Sequence, residues 1–298
     1  MTPLHLDAGL EMRGGQWQAL RLIRGLKRVG HKCRLLAPVS SPLAKIAASE
    51  DIPTGALKLS SIFREARHAD VIHAHDARSH TLAVLVCARP LLVSRRVIFP
   101  IKRGLLSRSK YRRVDLFVAV SEAVAHQLRS AGIPSDRIRV IYDGVPLFPE
   151  LWNADGPVLV PSFDDPMKAT ALALRAASSA GVVVRPSKNL EHDLEGASLL
   201  LYLTHSEGLG SAPLLALSAG VPVIASNIGG LPEVIESGVN GILVENREEE
   251  VARTLRDLLA SPEHMRAMSL AASRTVRERF SEERMVAATL EAYKSLQS

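Results

Sequence analysis

The residues best suited to chemistry lie between positions 205 and 233. There His205-Ser206-Glu207-Gly208-Leu209-Gly210-Ser211 joins an apolar strand pattern to a helical one, and Gly229-Gly230 makes a second glycine turn one strand later. Gly208 and Gly210 let the chain turn sharply around Leu209. The helix opening at Ser211 then offers exposed amides and about half a positive charge at its first turn, a seat suited to a diphosphate. In the first half, Gly14 and Gly15 open a helix after the first strand, where the missing side chains let a ligand approach the backbone closely. His73 and His75 alternate at a strand end and so share a face. Two histidines at that spacing are weak grounds for zinc, and no metal is expected. Asp76 follows them and either acts on an acceptor hydroxyl or caps the next turn.

The hydropathy pattern supplies elements to hold these groups. It predicts strands over 4–7, 33–37, 56–59, 71–75, 91–97, 116–120 and 137–141. Between them it predicts helices over 14–29, 42–48, 61–68 and 81–88, and one opening at Ser121. Strand and helix alternating in this way indicate a parallel sheet covered on both faces. A turn-rich stretch over 143–157 predicts a linker. The alternation then resumes with strands over 158–160, 182–185, 199–204, 223–226 and 241–244. Helices are predicted over 170–179, 211–218 and 231–236, with three helical segments from Glu248, the second starting at Pro262. The expected fold class is α/β with two Rossmann-like domains, at 1–149 and 150–298.

Composition narrows the classes further. A chain of 298 residues is long enough for two domains, and its 47% hydrophobic and 23% charged residues are ordinary for packed cores. Only 4% are aromatic, which suits helices on parallel strands better than a β-sandwich. No run of ~18 apolar residues predicts a membrane span. The first residues show no basic, cleavable leader pattern, so a cytoplasmic protein is expected. Cys33 and Cys87 sit in apolar stretches and suggest neither a disulfide framework nor a metal cluster. No G-x-G-x-x-G follows the first strand, which argues against a dinucleotide-dependent oxidoreductase. Residues 1–150 hold 24 Lys and Arg against 12 Asp and Glu, whereas residues 151–298 hold 13 against 19. The asymmetry predicts an anionic partner for the first half only.

The stretch from His205 to Ala225, followed by Gly229-Gly230-Leu231-Pro232-Glu233, closely resembles the donor-site signature of family 4 (group 1) retaining glycosyltransferases. Further landmarks of that family are resembled in order by Arg13-Gly14-Gly15-Gln16, Asp70-Val71-Ile72-His73-Ala74-His75-Asp76, Val118-Ala119-Val120-Ser121-Glu122 and Val140-Ile141-Tyr142-Asp143-Gly144-Val145. The resemblance therefore covers most of the chain. It implies the GT-B fold, in which two Rossmann-like domains face across a cleft. It also implies a nucleotide-diphosphate sugar as substrate, no cofactor and no catalytic metal. On this resemblance Glu207 touches the transferred sugar, Lys168 neutralises the leaving phosphate, and Gly208, Leu209, Gly210 and Ser211 hold the donor with Gly14 and Gly15.

Two donor positions depart from the family pattern. The second acidic residue, eight positions after Glu207, is Leu215, which accepts no hydrogen bond from a ribose hydroxyl; such a bond to a charged group is worth ~1.5–3 kcal/mol. The arginine six positions before Lys168 is Ser162, which lacks the planar fork that grips a phosphate. Near the family's histidine after the fifth strand stands Arg96. With Arg95 and His75 it forms the candidate acceptor or anion-binding group. The second domain also lacks a strand–helix unit, so a reduced sheet is expected there.

Eight basic residues, among them Lys102 and Arg103, crowd positions 95–113 and interleave with Val97, Phe99, Leu105 and Leu106. That mixture suits an anionic membrane surface. The alternatives are a solvated charged loop or a nucleic-acid contact; no recognition module is present, and nucleic acid is not expected as a partner. The function expected is sugar transfer, with retention, to a lipid-linked or cell-envelope glycan acceptor. It would take place in the cytoplasm or peripherally at the inner membrane face. The alternative is a catalytically degenerate relative that binds a glycan, a membrane or a partner enzyme as a scaffold.

Overall fold

Apolar strands buried on both faces need helices on either side, and half of the described strands are buried along their whole length. The computed structural model describes residues 1–86, 90–99, 101, 104–162, 165 and 167–297. Cys87, Lys102, Arg103 and the end of the helix expected over 81–88 lie outside the described residues. The chain divides into two compact units, Met1–Gly144 with Glu282–Ser298, and Val145–Ser281.

The first unit is a seven-stranded parallel sheet in the order β3-β2-β1-β4-β5-β6-β7. Its strands are β1 (Pro3–Leu6), β2 (Arg34–Ala37), β3 (Thr54–Ala56), β4 (Val71–Ala74), β5 (Leu91–Arg95), β6 (Leu116–Ala119) and β7 (Ile138–Val140). The helices between them are α1 (Gly14–Arg28), α2 (Pro42–Ser49), α3 (Leu59–Ala66), α4 (Ala77–Val86), α5 (Leu105–Arg112) and α6 (Glu122–Ser130). The order reverses between β1 and β4, which lie in register with His5 beside His73.

The second unit is a five-stranded parallel sheet in the order β12-β11-β10-β8-β9. It comprises β8 (Val158–Pro161), α7 (Thr170–Ala180), β9 (Val184–Ser187), α8 (Leu190–Asp193), β10 (Leu199–Tyr202), α9 (Ser211–Ser218), β11 (Val223–Ser226), α10 (Leu231–Val234) and β12 (Gly241–Val244). The helices α11 (Glu248–Leu259) and α12 (Pro262–Arg279) complete it. No described helix is long and apolar enough to cross a membrane.

Three expectations are corrected. The second domain does not run to the end of the chain, because α13 (Glu282–Lys294) belongs to the first unit. Met285, Val286, Ala292 and Tyr293 join the core built by α1 and the first sheet. Gly25 of α1 permits this approach, since a Cβ there would stand 2.3 Å from Val286 Cγ2. Residues 145–157 are not a free linker: Val145 donates to Phe280 O, Leu151 to Ala219 O and the Trp152 ring to Ser198 O, all within the second unit. The strand expected over 56–59 is Thr54–Ala56, because Leu59 begins α3, whose Ile62 and Ala66 are buried at helical spacing. Within the basic stretch, Leu105–Arg112 form the helix α5.

Candidate active site

In the second unit the strand order reverses between β8 and β10. The crevice beyond the carboxyl ends of two such strands is where open parallel sheets bind ligands. Lys168 follows β8 and Glu207 follows β10. The two loops are tied by an isolated bridge between Lys168 and Thr204 and by bonds from Ala169 N–H to Leu203 O and His205 N–H to Met167 O. The side chains then meet. Lys168 Nζ lies 2.5 Å from Glu207 Oε2 and 2.6 Å from the Tyr202 hydroxyl, which donates to the same Glu207 oxygen. Glu207 Oε1 accepts from Gly208 N–H at 3.1 Å.

This group is mostly withdrawn from water. Lys168 and Glu207 side chains are 17% and 16% exposed, and Tyr202 is buried. Opposite charges attract more strongly in such surroundings than in solvent. Burial, and then the adjoining Glu207 carboxylate, push the Tyr202 hydroxyl well above its usual range. It therefore stays protonated and remains a donor.

Gly210 stands before α9 with φ +105°, a conformation that favours glycine, and a Cβ there would lie 2.8 Å from Leu231 Cδ2. Gly230 N–H donates to Glu207 O at 3.2 Å, joining the second glycine turn to the first. The turn is less open than its glycine content suggested. Gly208, Leu209 and Gly210 are buried, and Ser211 is half-buried. Among the described residues, the amides of Leu209, Gly210, Ser211 and Ala212 meet no acceptor. These are the donors a helix start leaves unpaired.

The first unit has its own reversal point, between β1 and β4. Asp7 follows β1, fully buried, and accepts from Gly9 N–H and Gln16 Nε2. Burial raises its carboxyl above the usual range. Arg96, just past β5, reaches Asp143 Oδ1 at 3.2 Å, while its buried Nη1 has no partner among the described residues. Gly15 lies against the Arg96 stem, since a Cβ on it would stand 3.7 Å from Arg96 Cδ. The helix α1 opens with no side-chain cap and no acidic residue in its first turn. His5, His73 and His75 stack within the sheet, their nearest nitrogens all within 4.8 Å of one another, close enough to hold a metal. His73 already engages Tyr293 Oη and Ser94 Oγ at 2.7 Å each, and His5 Nδ1 faces His75 Nε2 at 3.0 Å. Burial pushes all three rings well below their usual range, so they are neutral.

Comparison with known proteins identifies the frame that carries these groups. Residues 12–147 match the family model of glycosyltransferase family 4, and residues 164–275 match that of glycosyl transferases group 1. The chain belongs to the family 4, group 1 glycosyltransferases. A D-inositol 3-phosphate glycosyltransferase of Rhodococcus opacus is 32% identical over 129 residues, which is 41% of this chain and 29% of that relative. HepE of Anabaena, solved in complex with UDP, superposes with a TM-score of 0.86 at 15% identity, covering 99% of this chain and 100% of that one. A glycosyltransferase of Rickettsia africae gives a TM-score of 0.83 at 20% identity, covering 100% and 98%. At these identities the solved structures establish the fold, which is the two-domain GT-B fold.

Within this glycosyltransferase chain, Lys168 and Glu207 meet each other next to the amides of residues 209–212. Ser162 continues β8 with its amide bonded to Ser187 O. Leu215 is buried inside α9, a helix apolar on every side, and packs as core. Gly14 and Gly15 are half-buried at the start of α1, and His75 is buried in the histidine stack. Two candidates are redirected. Asp76 caps α4: its Oδ1 accepts from Arg78 and Ser79 N–H, and its Oδ2 accepts from Ala8 N–H, so both oxygens serve the backbone. Arg95 donates to Val97 O and Phe99 O and so braces its own loop. Sequence reasoning missed Tyr202, Asp7 and Asp143. A hydroxyl-bearing aromatic at a strand end, five positions before the signature glutamate, was the available signal for Tyr202.

Proposed function

We propose that this protein is a retaining glycosyltransferase, moving a sugar from a nucleotide-diphosphate donor to a lipid-linked or cell-envelope glycan acceptor. One observation carries the reading: a Lys–Glu pair at the reversal point of the second sheet, beside helix-start amides with no acceptor. The amides of residues 209–212 and the Lys168 ammonium would stabilise the charge that grows on the leaving diphosphate. Glu207, steadied by Gly208 N–H and Tyr202, would accept from the sugar hydroxyls and orient the anomeric carbon. In the first unit the proposed acceptor or anion-binding groups are Arg96 and His75, with Gly14 and Gly15 admitting ligand close to the backbone. Fixed amides and one ammonium supply the electrostatics, so the proposal includes no metal or cofactor. The proposed setting is the cytoplasm, at the inner face of the membrane.

The test is a screen of nucleotide sugars for transfer and hydrolysis, followed by Glu207→Ala in the responding assay. The variant is expected to lose about 10²–10³-fold in turnover while its circular dichroism is unchanged. Unchanged turnover would remove Glu207 from the site. A second reading, a degenerate binding module, draws on Leu215 and Ser162. Calorimetry with a panel of nucleoside diphosphates separates the two, since silence across the panel favours the module.

A further inference from the structure

Helix α5 has no buried residue. Its described contacts fall in its last turn: Tyr111 stacks on Phe117 with ring centroids 5.4 Å apart, Lys110 Nζ donates to Ala77 O and Thr81 Oγ1 of α4, and Arg137 Nη2 donates to the carbonyls of Tyr111 and Arg112. Leu105 and Leu106, in its first turn, are 84% and 89% exposed. The helix could have been anchored by these leucines, yet they point away from the unit. Arg108 and Arg112 are also exposed, and neither forms an ion pair with a described residue. Just upstream, Arg95 pins the loop in which Val97 and Phe99 are exposed. From position 77 to 114 the chain holds ten Lys or Arg and no Asp or Glu.

We infer that the first turn of α5 and the 97–99 loop form a docking surface for an anionic lipid bilayer. Adjacent leucines would enter the headgroup–acyl boundary while Arg108 and Arg112 meet lipid phosphates. Charge complementarity selects this occupant. A neutral apolar partner would leave the arginines unpaired, and an acidic polymer alone would leave the leucines in water. The position matters for function. In a parallel sheet all carboxyl ends share one edge, and both the 97–99 loop and the start of α5 follow the carboxyl end of β5, as Arg96 does. A membrane-held acceptor would therefore be presented at the edge that carries Arg96 and Asp7. The inference relies on the sugar-transfer reading for its purpose only, because docking is measured without turnover.

The experiment is flotation of the full chain with vesicles of phosphatidylcholine alone or of phosphatidylcholine with phosphatidylglycerol. Binding is expected to the anionic vesicles only, and to weaken as salt is raised. Leu105→Ser with Leu106→Ser should weaken it about 10- to 100-fold. Arg108→Gln with Arg112→Gln should cost roughly 30-fold, and the Lys pair at the same positions should restore it. Calorimetry with UDP on the same variants should give wild-type values, so a failed donor reading and a failed docking surface are told apart. Wild type that stays with the unbound fraction would overturn the inference. So would a leucine variant that floats like wild type, or tight binding to single-stranded nucleic acid that ignores the leucines.

Discussion

An ammonium and a carboxylate 39 positions apart in the chain meet at 2.5 Å, and a tyrosine hydroxyl touches both. The geometry makes Tyr202 a positioning residue. Its phenol, kept protonated by burial, donates to the Glu207 oxygen that Lys168 also holds. Tyr202→Phe removes that hydroxyl without changing the ring. A hydrogen bond to a charged group is worth ~1.5–3 kcal/mol, so transfer is expected to fall at least about tenfold with little change in fold. Steady-state kinetics beside near-ultraviolet circular dichroism would check this, and wild-type kinetics would dismiss the role. Glu207 and Lys168 were legible as types at family spacing. Tyr202 was not, because its importance comes from which strand end it occupies rather than from any motif. Asp76 was legible only as a choice between two roles, and the amides of Ala8, Arg78 and Ser79 decide for the cap.

Among the elements, α9 has the composition of a core helix and the position of a ligand-binding one. From Ala212 to Ser218 it is buried, so its side chains serve packing and its start serves chemistry. Gly210 sets the direction in which that start points. Gly210→Ala would put a Cβ 2.8 Å from Leu231 Cδ2 at φ +105°. The strain is expected to cost about 1–3 kcal/mol in stability, and the shifted helix start to weaken binding of whichever nucleoside diphosphate the calorimetric panel selects. Urea unfolding and calorimetry measure the two effects; unchanged values in both would show that the turn adapts freely. The helix itself was predicted with its observed bounds, since apolar residues between two glycine signals leave little choice. Helix α5 was not predicted. Its basic sequence has no apolar face turned inward, and inward-facing apolar residues are the signal by which hydropathy reveals a helix.

At the scale of the molecule, stability in acid depends on neutral histidines. Burial holds His5 and His80 down to about 3, against an ordinary value of 6.5. Between those values the unfolded chain binds protons that the folded chain refuses, so stability is fully present above 6.5 and declines as pH falls toward 3. One such histidine costs up to about 1.4 kcal/mol per pH unit inside that window. His80→Phe, in a site where the ring packs on Tyr111 and Phe117, is expected to flatten the decline by up to about 2 kcal/mol between pH 6.5 and 5. Urea unfolding at the two pH values measures it, and an unaltered slope would mean that His80 titrates normally. The amino-acid sequence by itself determined the alternation of strand and helix, the two sheets and the glycine turns, because periodicity and turn chemistry are local. Tertiary structure alone decided that α13 returns to the first unit, that Tyr202 completes the Lys168–Glu207 pair, and that Asp76 and Arg95 serve the backbone. Each of these depends on contacts between residues far apart in the chain, and local pattern carries no record of which distant partner a side chain will meet.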